Sequence, residues 1–425
     1  MKYAVITFGC KVNQYESTAV GNAMNKAGFE YTEEQDDADI VIVNSCTVTE
    51  NSDKKAKHAV RAIKNRNPGC IAVLTGCYPQ AFPDEAKESG ADIITGTGRR
   101  GDIPRLITEF VNGRKAPVCM ELPKRYEELD ISRTTDKTRA FIKIEDGCDR
   151  FCSYCIIPYA RGRVRSRTPE SVAEEAALCA DEGHREIVLV GINLSRYGID
   201  NGFTLADAVR AASMPEKILR VRLSSLEPEL LDERTVSELA GCAKLCPHFH
   251  LSLQSGCDAT LKRMNRHYTA AEYLDIVTRL RNAFPDCSVT TDIMVGFAGE
   301  TDEEFEQSLA FAEKVGFAKI HVFTYSVRAG TAAEKRTDHV PESVKRERYE
   351  RMSELASVLR RRYFENSTGR ECEVLVQKRT SPDFAAGLTP DYIPVRIYGS
   401  SARKHDIVKV RLVSAGEDFC EGIEI

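Results

Sequence analysis

The stretch IKIEDGCDRFCSYC, residues 142–155, sets Cys148, Cys152 and Cys155 in a Cys-x3-Cys-x2-Cys run directly after an apolar strand. Three thiolates at this spacing supply three of the four ligands that a cubic iron-sulfur cluster needs. A structural zinc site normally closes its tetrahedron with a fourth Cys or His, and ferredoxin clusters are usually held by four cysteines. A triplet therefore leaves one iron open for chemistry. The rival readings are a zinc knuckle or a set of buried free thiols, and either must explain why an apolar strand runs straight into the triplet.

The chain has 425 residues, enough for two to four domains at ~150 residues each. Its fifteen cysteines are many, yet MKYAVITFGCKVNQ has no charged region followed by a long apolar one, as a signal peptide would. No apolar run approaches the ~20 residues that cross a bilayer. A cytoplasmic chain with reduced thiols is therefore expected, with no membrane partner, and cysteines kept there in number point to metal ligands. The net charge of -5 offers no global attraction to nucleic acid, so any RNA contact must come from local basic patches.

Pattern divides the chain into an α/β succession. Over residues 1–115, β-branched runs (YAVITF, DIVIVN, CIAVLTG, ADIITG) alternate with polar helical stretches, which predicts a small parallel sheet wrapped by helices. Over 138–366, six strands (AFIKIED, EIVLVG, LRVRLSS, HFHLSL, VTTDIMVG, AKIHVFTYS) alternate with helices as a partial (β/α)6 barrel, closed by a long exposed helix in PESVKRERYERMSELASVLRRRYFEN. VCMELPKRYEELDISRTTDK, between the two, is expected as a linker passing over the surface. Over 367–425, ECEVLVQKR, DYIPVRIYG, DIVKVRLVSA and GIEI, separated by Gly, Asp and Pro turns, predict a small antiparallel barrel.

Cys10, Cys46 and Cys77 each sit just past the carboxyl end of a predicted N-terminal strand. Ligands bind at that edge of a parallel sheet because loops and helix N-termini converge there. Three thiols from neighbouring strands could thus meet and hold a second cluster; the alternative is three ordinary small buried residues. Cys70 opens its strand, at the opposite end from Cys77, and should be unable to join.

TFGCKVNQYES, VNSCTVT, LTGCYPQ and the Cys148/Cys152/Cys155 run together resemble the methylthiotransferases, radical S-adenosylmethionine enzymes with two [4Fe-4S] clusters. The resemblance spans nearly the whole chain. It implies a flavodoxin-like N-terminal domain holding one cluster by Cys10, Cys46 and Cys77. It further implies a radical barrel holding the other by Cys148, Cys152 and Cys155, and a C-terminal RNA-binding barrel of the TRAM type. GCKVNQYES and DGCDRFCSYCIIPYARGRVRSR are most similar to the branch that modifies N6-threonylcarbamoyladenosine at position 37 of tRNA. The isopentenyladenosine branch tends towards GCQMN, and the branch acting on ribosomal protein S12 towards GCPKN. Phe8, where Leu is usual, and Ala298, where Pro is usual, depart from the pattern without removing a ligand.

The reaction so implied places a methylthio group on carbon 2 of the adenine ring. That C–H is neither acidic nor easily displaced, so cofactor-borne radical chemistry is needed. Two S-adenosylmethionine molecules are consumed per turnover, one as methyl donor and one as radical source. The resemblance also implies a low-potential electron donor such as flavodoxin or ferredoxin, and a sulfur source.

Cofactor contacts are expected at the top of the barrel, where strand ends build active sites. The candidates are Gly191 and Asn193, Ser224, Ser225 and Glu227, Gln254 and Ser255, and Asp292, with Tyr325 and Arg328 at the mouth. Any one of these could equally be a cap or turn residue. Cys242, Cys246, His248 and His250 have the composition of a zinc site, but a helix end running into a buried strand explains them as well. For RNA, Arg161, Arg163, Arg165 and Arg167 alternate after the triplet and would share one side of an extended segment, facing phosphates or carboxylates within the barrel. Glutamates interrupt the basic helix from Lys345 to Arg362, which favours pairs within the helix. Arg379, Tyr392, Arg396, Tyr398 and Lys404 are candidate RNA contacts on the last barrel. The reading from another class is an iron-sulfur RNA-binding redox sensor without turnover, which would need no cofactor pocket.

Overall fold

The computed structural model describes residues 1–114, 118–129, 138–379 and 384–425. The boundary at residue 115 and linker residues 130–137 lie outside the described residues. The N-terminal region is a five-stranded parallel sheet in the order Glu30–Tyr31, Lys2–Thr7, Ile40–Ser45, Ile71–Gly76, Ile93–Ile94. Its two central strands are buried at every position, as expected of parallel strands covered on both faces, which read as continuous apolar runs. The outermost strands have two residues each. Ile93–Ile94 is buried within the apolar run ADIITG that predicts it, whereas Glu30–Tyr31 is exposed at both positions and lies in no apolar run, so it escaped the sequence reading.

The segment after residue 118 does more than pass over the surface. Gly96 N–H donates to Cys119 O at 2.9 Å and Gln80 Nε2 to Met120 O at 2.6 Å, while Tyr126 Oη donates to Lys143 O at 2.5 Å. The segment is thereby held against both the first sheet and the following barrel.

Six main strands, Arg139–Lys143, Glu186–Val190, Arg220–Leu223, His248–Leu251, Ser288–Val295 and Lys319–Thr324, form an open parallel barrel whose hydrogen bonding breaks once, at Ser224. Helix starts on its outside are written in the sequence. Thr168, Thr204, Asp232, Thr269 and Thr301 each accept a backbone N–H of the first turn, and three of these close a full capping box. A two-residue antiparallel pair, Glu145–Asp146 with Arg165–Ser166, clamps the loop that carries Cys148, Cys152 and Cys155.

The C-terminal region is a closed five-stranded barrel. The expectation of an antiparallel barrel needs correcting: Pro394–Tyr398 pairs with Cys420–Glu424 in parallel, because the last strand crosses over to close the cylinder. The loop at Thr389–Tyr392 seals the barrel floor. Arg222 Nη1 donates to Pro390 O at 2.8 Å, Ser288 Oγ to Asp391 O at 2.5 Å, and the Tyr392 ring stacks on His248 at 4.6 Å. The Glu342–Ser367 helix, expected to be exposed, packs along Lys319–Thr324 and Ile407–Ala415 with Met352, Leu359 and Phe364 buried. No helix among the described residues is long and apolar enough to cross a membrane.

Candidate functional site

Cys10, Cys46 and Cys77 sit in the three loops at one edge of the N-terminal sheet. Cys10 precedes the Lys11–Lys26 helix, with Sγ 3.4 Å from Asn13 Oδ1. Cys46 lies so near the first loop that a Cβ on Gly9 would stand 2.8 Å from its own. Cys77 opens the Cys77–Ala81 helix, directly after Gly76, whose φ of +104° and crowding by Asn44 exclude a side chain there. Cys70 stands apart, at the other end of its strand beside Lys64 and Asp92.

Burial pushes the Cys77 thiol up to about 12, with Cys46 and Cys10 close enough to add to the shift and Arg161 opposing it. Arg161 comes from the barrel: its Nε lies 3.2 Å from Cys77 Sγ. The expectation of one arginine face after the triplet fails, because Arg161 ends a helix, Ile157–Arg161, and is fully buried. Arg165 and Arg167 are buried as well, on Asp146 and Glu175, leaving Arg163 exposed over the Phe151 ring.

The second trio has polar donors of the same kind. Asn193 Nδ2 approaches Cys148 Sγ at 3.5 Å and Arg266 Nη1 approaches Cys152 Sγ at 3.3 Å. Burial raises all three thiols, Cys148 to about 11. Glu227 pairs with Arg266 through both carboxylate oxygens. Glu145 is completely buried, pushed up to about 8 by burial, and accepts the Asn193 N–H at 2.7 Å, while Gly191 passes where a Cβ would be 2.7 Å from the same carboxylate.

The other sequence candidates divide. Gln254, at a φ of +68°, has a buried Oε1 without a partner, and Asn193 Oδ1 is likewise unsatisfied, so both can accept from a ligand. Asp292 Oδ2 meets His250 Nε2 at 3.1 Å. Ser224 is buried beside the strand and Ser225 is exposed. Ser255 is corrected: its hydroxyl is fully buried at 3.0 Å from Ser308 Oγ, under a helix. Arg328 reaches Thr47 Oγ1, directly after Cys46, at 2.7 Å and Asp53 Oδ2 at 2.8 Å, tying the barrel to the N-terminal region beside that loop. Tyr325 is buried among Met264, Met294 and Phe297.

Among the described residues, no three His, Cys, Asp or Glu side chains come close enough to share a single metal ion. That removes the zinc reading of Cys242, Cys246, His248 and His250, whose imidazoles instead bond Thr290 Oγ1 at 3.2 and 2.9 Å. It does not touch a cubic cluster, in which each thiolate binds a different iron. The donor set fits that group: a neutral buried thiol asks for no guanidinium, whereas a thiolate ligand is stabilised by the N–H groups aimed at Cys77, Cys148 and Cys152. Arg161, Arg266 and Glu145 were missed as site residues. Glu145 stands three residues before Cys148, but nothing in spacing marks a lone arginine as a sulfur partner.

On the last barrel, Tyr392 is turned inward, with the Arg222 and Arg139 guanidinium groups 4.9 and 5.4 Å from its ring, and is withdrawn as an RNA contact. Arg396 lies over Phe419 at 3.6 Å, Tyr398 Oη donates to Glu421, and Arg379 and Lys404 are exposed.

Residues 142–312 match the Radical SAM superfamily and residues 2–96 match Uncharacterized protein family UPF0004. The chain is similar to threonylcarbamoyladenosine tRNA methylthiotransferase MtaB of Thermotoga maritima, at 38% identity over 98% of this chain and 97% of the relative. The protein of the same name from Bacillus subtilis is 37% identical over 98% and 94%. A tRNA-2-methylthio-N(6)-dimethylallyladenosine synthase of Clostridium botulinum is 34% identical over 100% and 97%. Among solved structures, the radical S-adenosylmethionine methyltransferase TsrM of Kitasatospora setae shares the fold, with a TM-score of 0.59 at 16% identity over 76% of this chain and 74% of that one.

Proposed function

The chain belongs to the radical S-adenosylmethionine methylthiotransferase family, and we propose that it methylthiolates carbon 2 of N6-threonylcarbamoyladenosine at position 37 of tRNA. The observation that carries the substrate is the near-full-length similarity to relatives bearing that activity in their names. Cys148, Cys152 and Cys155 are assigned to one [4Fe-4S] cluster and Cys10, Cys46 and Cys77 to the second. Bound together, the clusters and S-adenosylmethionine supply reductive cleavage of the sulfonium and a site for the sulfur to be transferred.

The chain's own residues set the conditions. Arg266, held by Glu227, and Asn193 stabilise the thiolates of the barrel trio, and the unsatisfied Asn193 Oδ1 and Gln254 Oε1 are assigned to cofactor binding. Asp292 remains a candidate for the same pocket. Partners on this reading are tRNA, through its anticodon loop, a low-potential electron donor such as flavodoxin or ferredoxin, and a sulfur source. Arg396, Tyr398, Arg379 and Lys404 are the surface assigned to RNA.

Alanine variants test the assignment. Loss of Cys10, Cys46 or Cys77 is expected to abolish methylthio transfer yet spare reductive cleavage of S-adenosylmethionine, and loss of Cys148, Cys152 or Cys155 to stop both. Cys70→Ala should leave both intact. Nucleoside mass spectrometry of tRNA from cells lacking the chain should show unconverted threonylcarbamoyladenosine; unchanged methylthio product would remove the substrate.

A further inference from the structure

The Arg161–Gly162 dipeptide touches both sulfur sites at once. Gly162 O accepts the Cys148 backbone N–H at 2.9 Å, while the Arg161 guanidinium crosses to the N-terminal sheet and donates from Nε to Cys77 Sγ at 3.2 Å. Its other nitrogens are committed as well. Nη1 meets Glu16 Oε1 at 2.8 Å and Asp146 Oδ1 at 2.9 Å; Nη2 meets Glu16 Oε2 at 3.1 Å and Asn13 Oδ1 at 3.2 Å. That Asn13 oxygen is the one facing Cys10 Sγ. One barrel residue thus bonds a sulfur of the N-terminal trio directly and reaches a second through a shared amide.

Charge in the nest is unbalanced. Arg100, Lys143, Arg161 and Arg165 are all buried there, against the carboxylates of Glu16 and Asp146, with Glu127 at the edge 3.7 Å from Arg100. Four cations meet three carboxylates, and the cation nearest sulfur is Arg161. A buried cation left over is costly unless an anion completes the set, and a thiolate at Cys77 is the group in position to do so.

We infer that Arg161 is a positioning residue for the N-terminal cluster, donating a hydrogen bond to its Cys77 ligand, raising the cluster's reduction potential from across the domain boundary, and fixing its placement relative to the Cys148 site. The inference rests on the two-cluster reading above. Its physical basis is that N–H donation and positive charge at a ligating sulfur draw electron density from a cluster and favour its reduced state. The planar fork matters in addition to the charge, because Arg161 makes five contacts, to Cys77, Asp146, Asn13 and both oxygens of Glu16, and the three donors on a lysine's single nitrogen cannot reproduce that spread.

The test uses the full chain carrying Cys148→Ala, Cys152→Ala and Cys155→Ala, reconstituted anaerobically so that one cluster remains, and reads its midpoint potential by EPR-monitored titration. Arg161→Gln is expected to shift the one-electron equilibrium about tenfold towards the oxidised state, about 59 mV, with Arg161→Lys intermediate. Arg165→Gln is the structural control: Arg165 pairs with Asp146 in the same nest and does not touch sulfur. Its potential should stay at the parent value. Equal potentials for parent, Arg161→Lys and Arg161→Gln overturn the inference, as does an equal shift in Arg165→Gln. Should Arg161→Gln fail to fold, Arg161→Lys alone decides by the same comparison. A parent that assembles no N-terminal cluster overturns the two-cluster reading and this inference with it.

Discussion

Replacing Glu16 by Gln removes the carboxylate shared by Arg100, Lys143 and Arg161 in the wall between the N-terminal sheet and the barrel. Burial alone would push this carboxyl up, but the three cations overcome it and hold it at about 2, against an ordinary value of 4.5. At ~1.4 kcal/mol per unit, that depression corresponds to about 3 kcal/mol in favour of the folded state, the size expected when one partner of a buried ion pair is lost. For a cooperative unit of 150–250 residues the first thermal transition should fall by roughly 6–12 °C. Differential scanning calorimetry of the full apo chain at neutral pH reads this directly. Because the folded value is depressed, the contribution is fully present above pH 4.5 and lost as pH falls towards 2. The penalty in Glu16→Gln should therefore shrink over that window. A neutral-pH shift below about 2 °C, no larger than an exposed substitution gives, would refute the reasoning.

Gly76→Ala forces a left-handed backbone on a residue with a Cβ and drives that atom onto the Ser45–Asn44 segment. A loss of about 2 kcal/mol or more is expected, together with lowered iron content at the Cys10/Cys46/Cys77 site, read by unfolding midpoint and anaerobic iron assay. Arg266→Met leaves Glu227 unpaired and uncovers Cys152 Sγ. Single-turnover assays should show reductive cleavage of S-adenosylmethionine slowed at least tenfold with iron largely retained; a parental rate would remove Arg266 from the site.

The sequence by itself determined which local elements form and where sulfur can be held. Apolar runs such as IVIVNS and IAVLTG leave a strand no exposed face, and Thr or Asp caps the helices that open at Glu50, Pro169, Leu205, Glu233, Ala270 and Asp302, so much of the alternation of strand and helix is legible residue by residue. The cysteines inherit their positions from those strand ends. What surrounds the sulfurs was decided only by the tertiary structure. Arg161 looked like one of four alternating arginines, and became a buried partner of Cys77 because the barrel's Ile157–Arg161 turn docks on the N-terminal sheet 84 residues away in sequence. Tyr392 looked like an RNA contact, yet it stacks on His248 because the C-terminal barrel presses one loop into the floor of the other. Such pairings depend on charges and rings that meet across domains, and no local period in a chain encodes which distant cation will complete a buried anion.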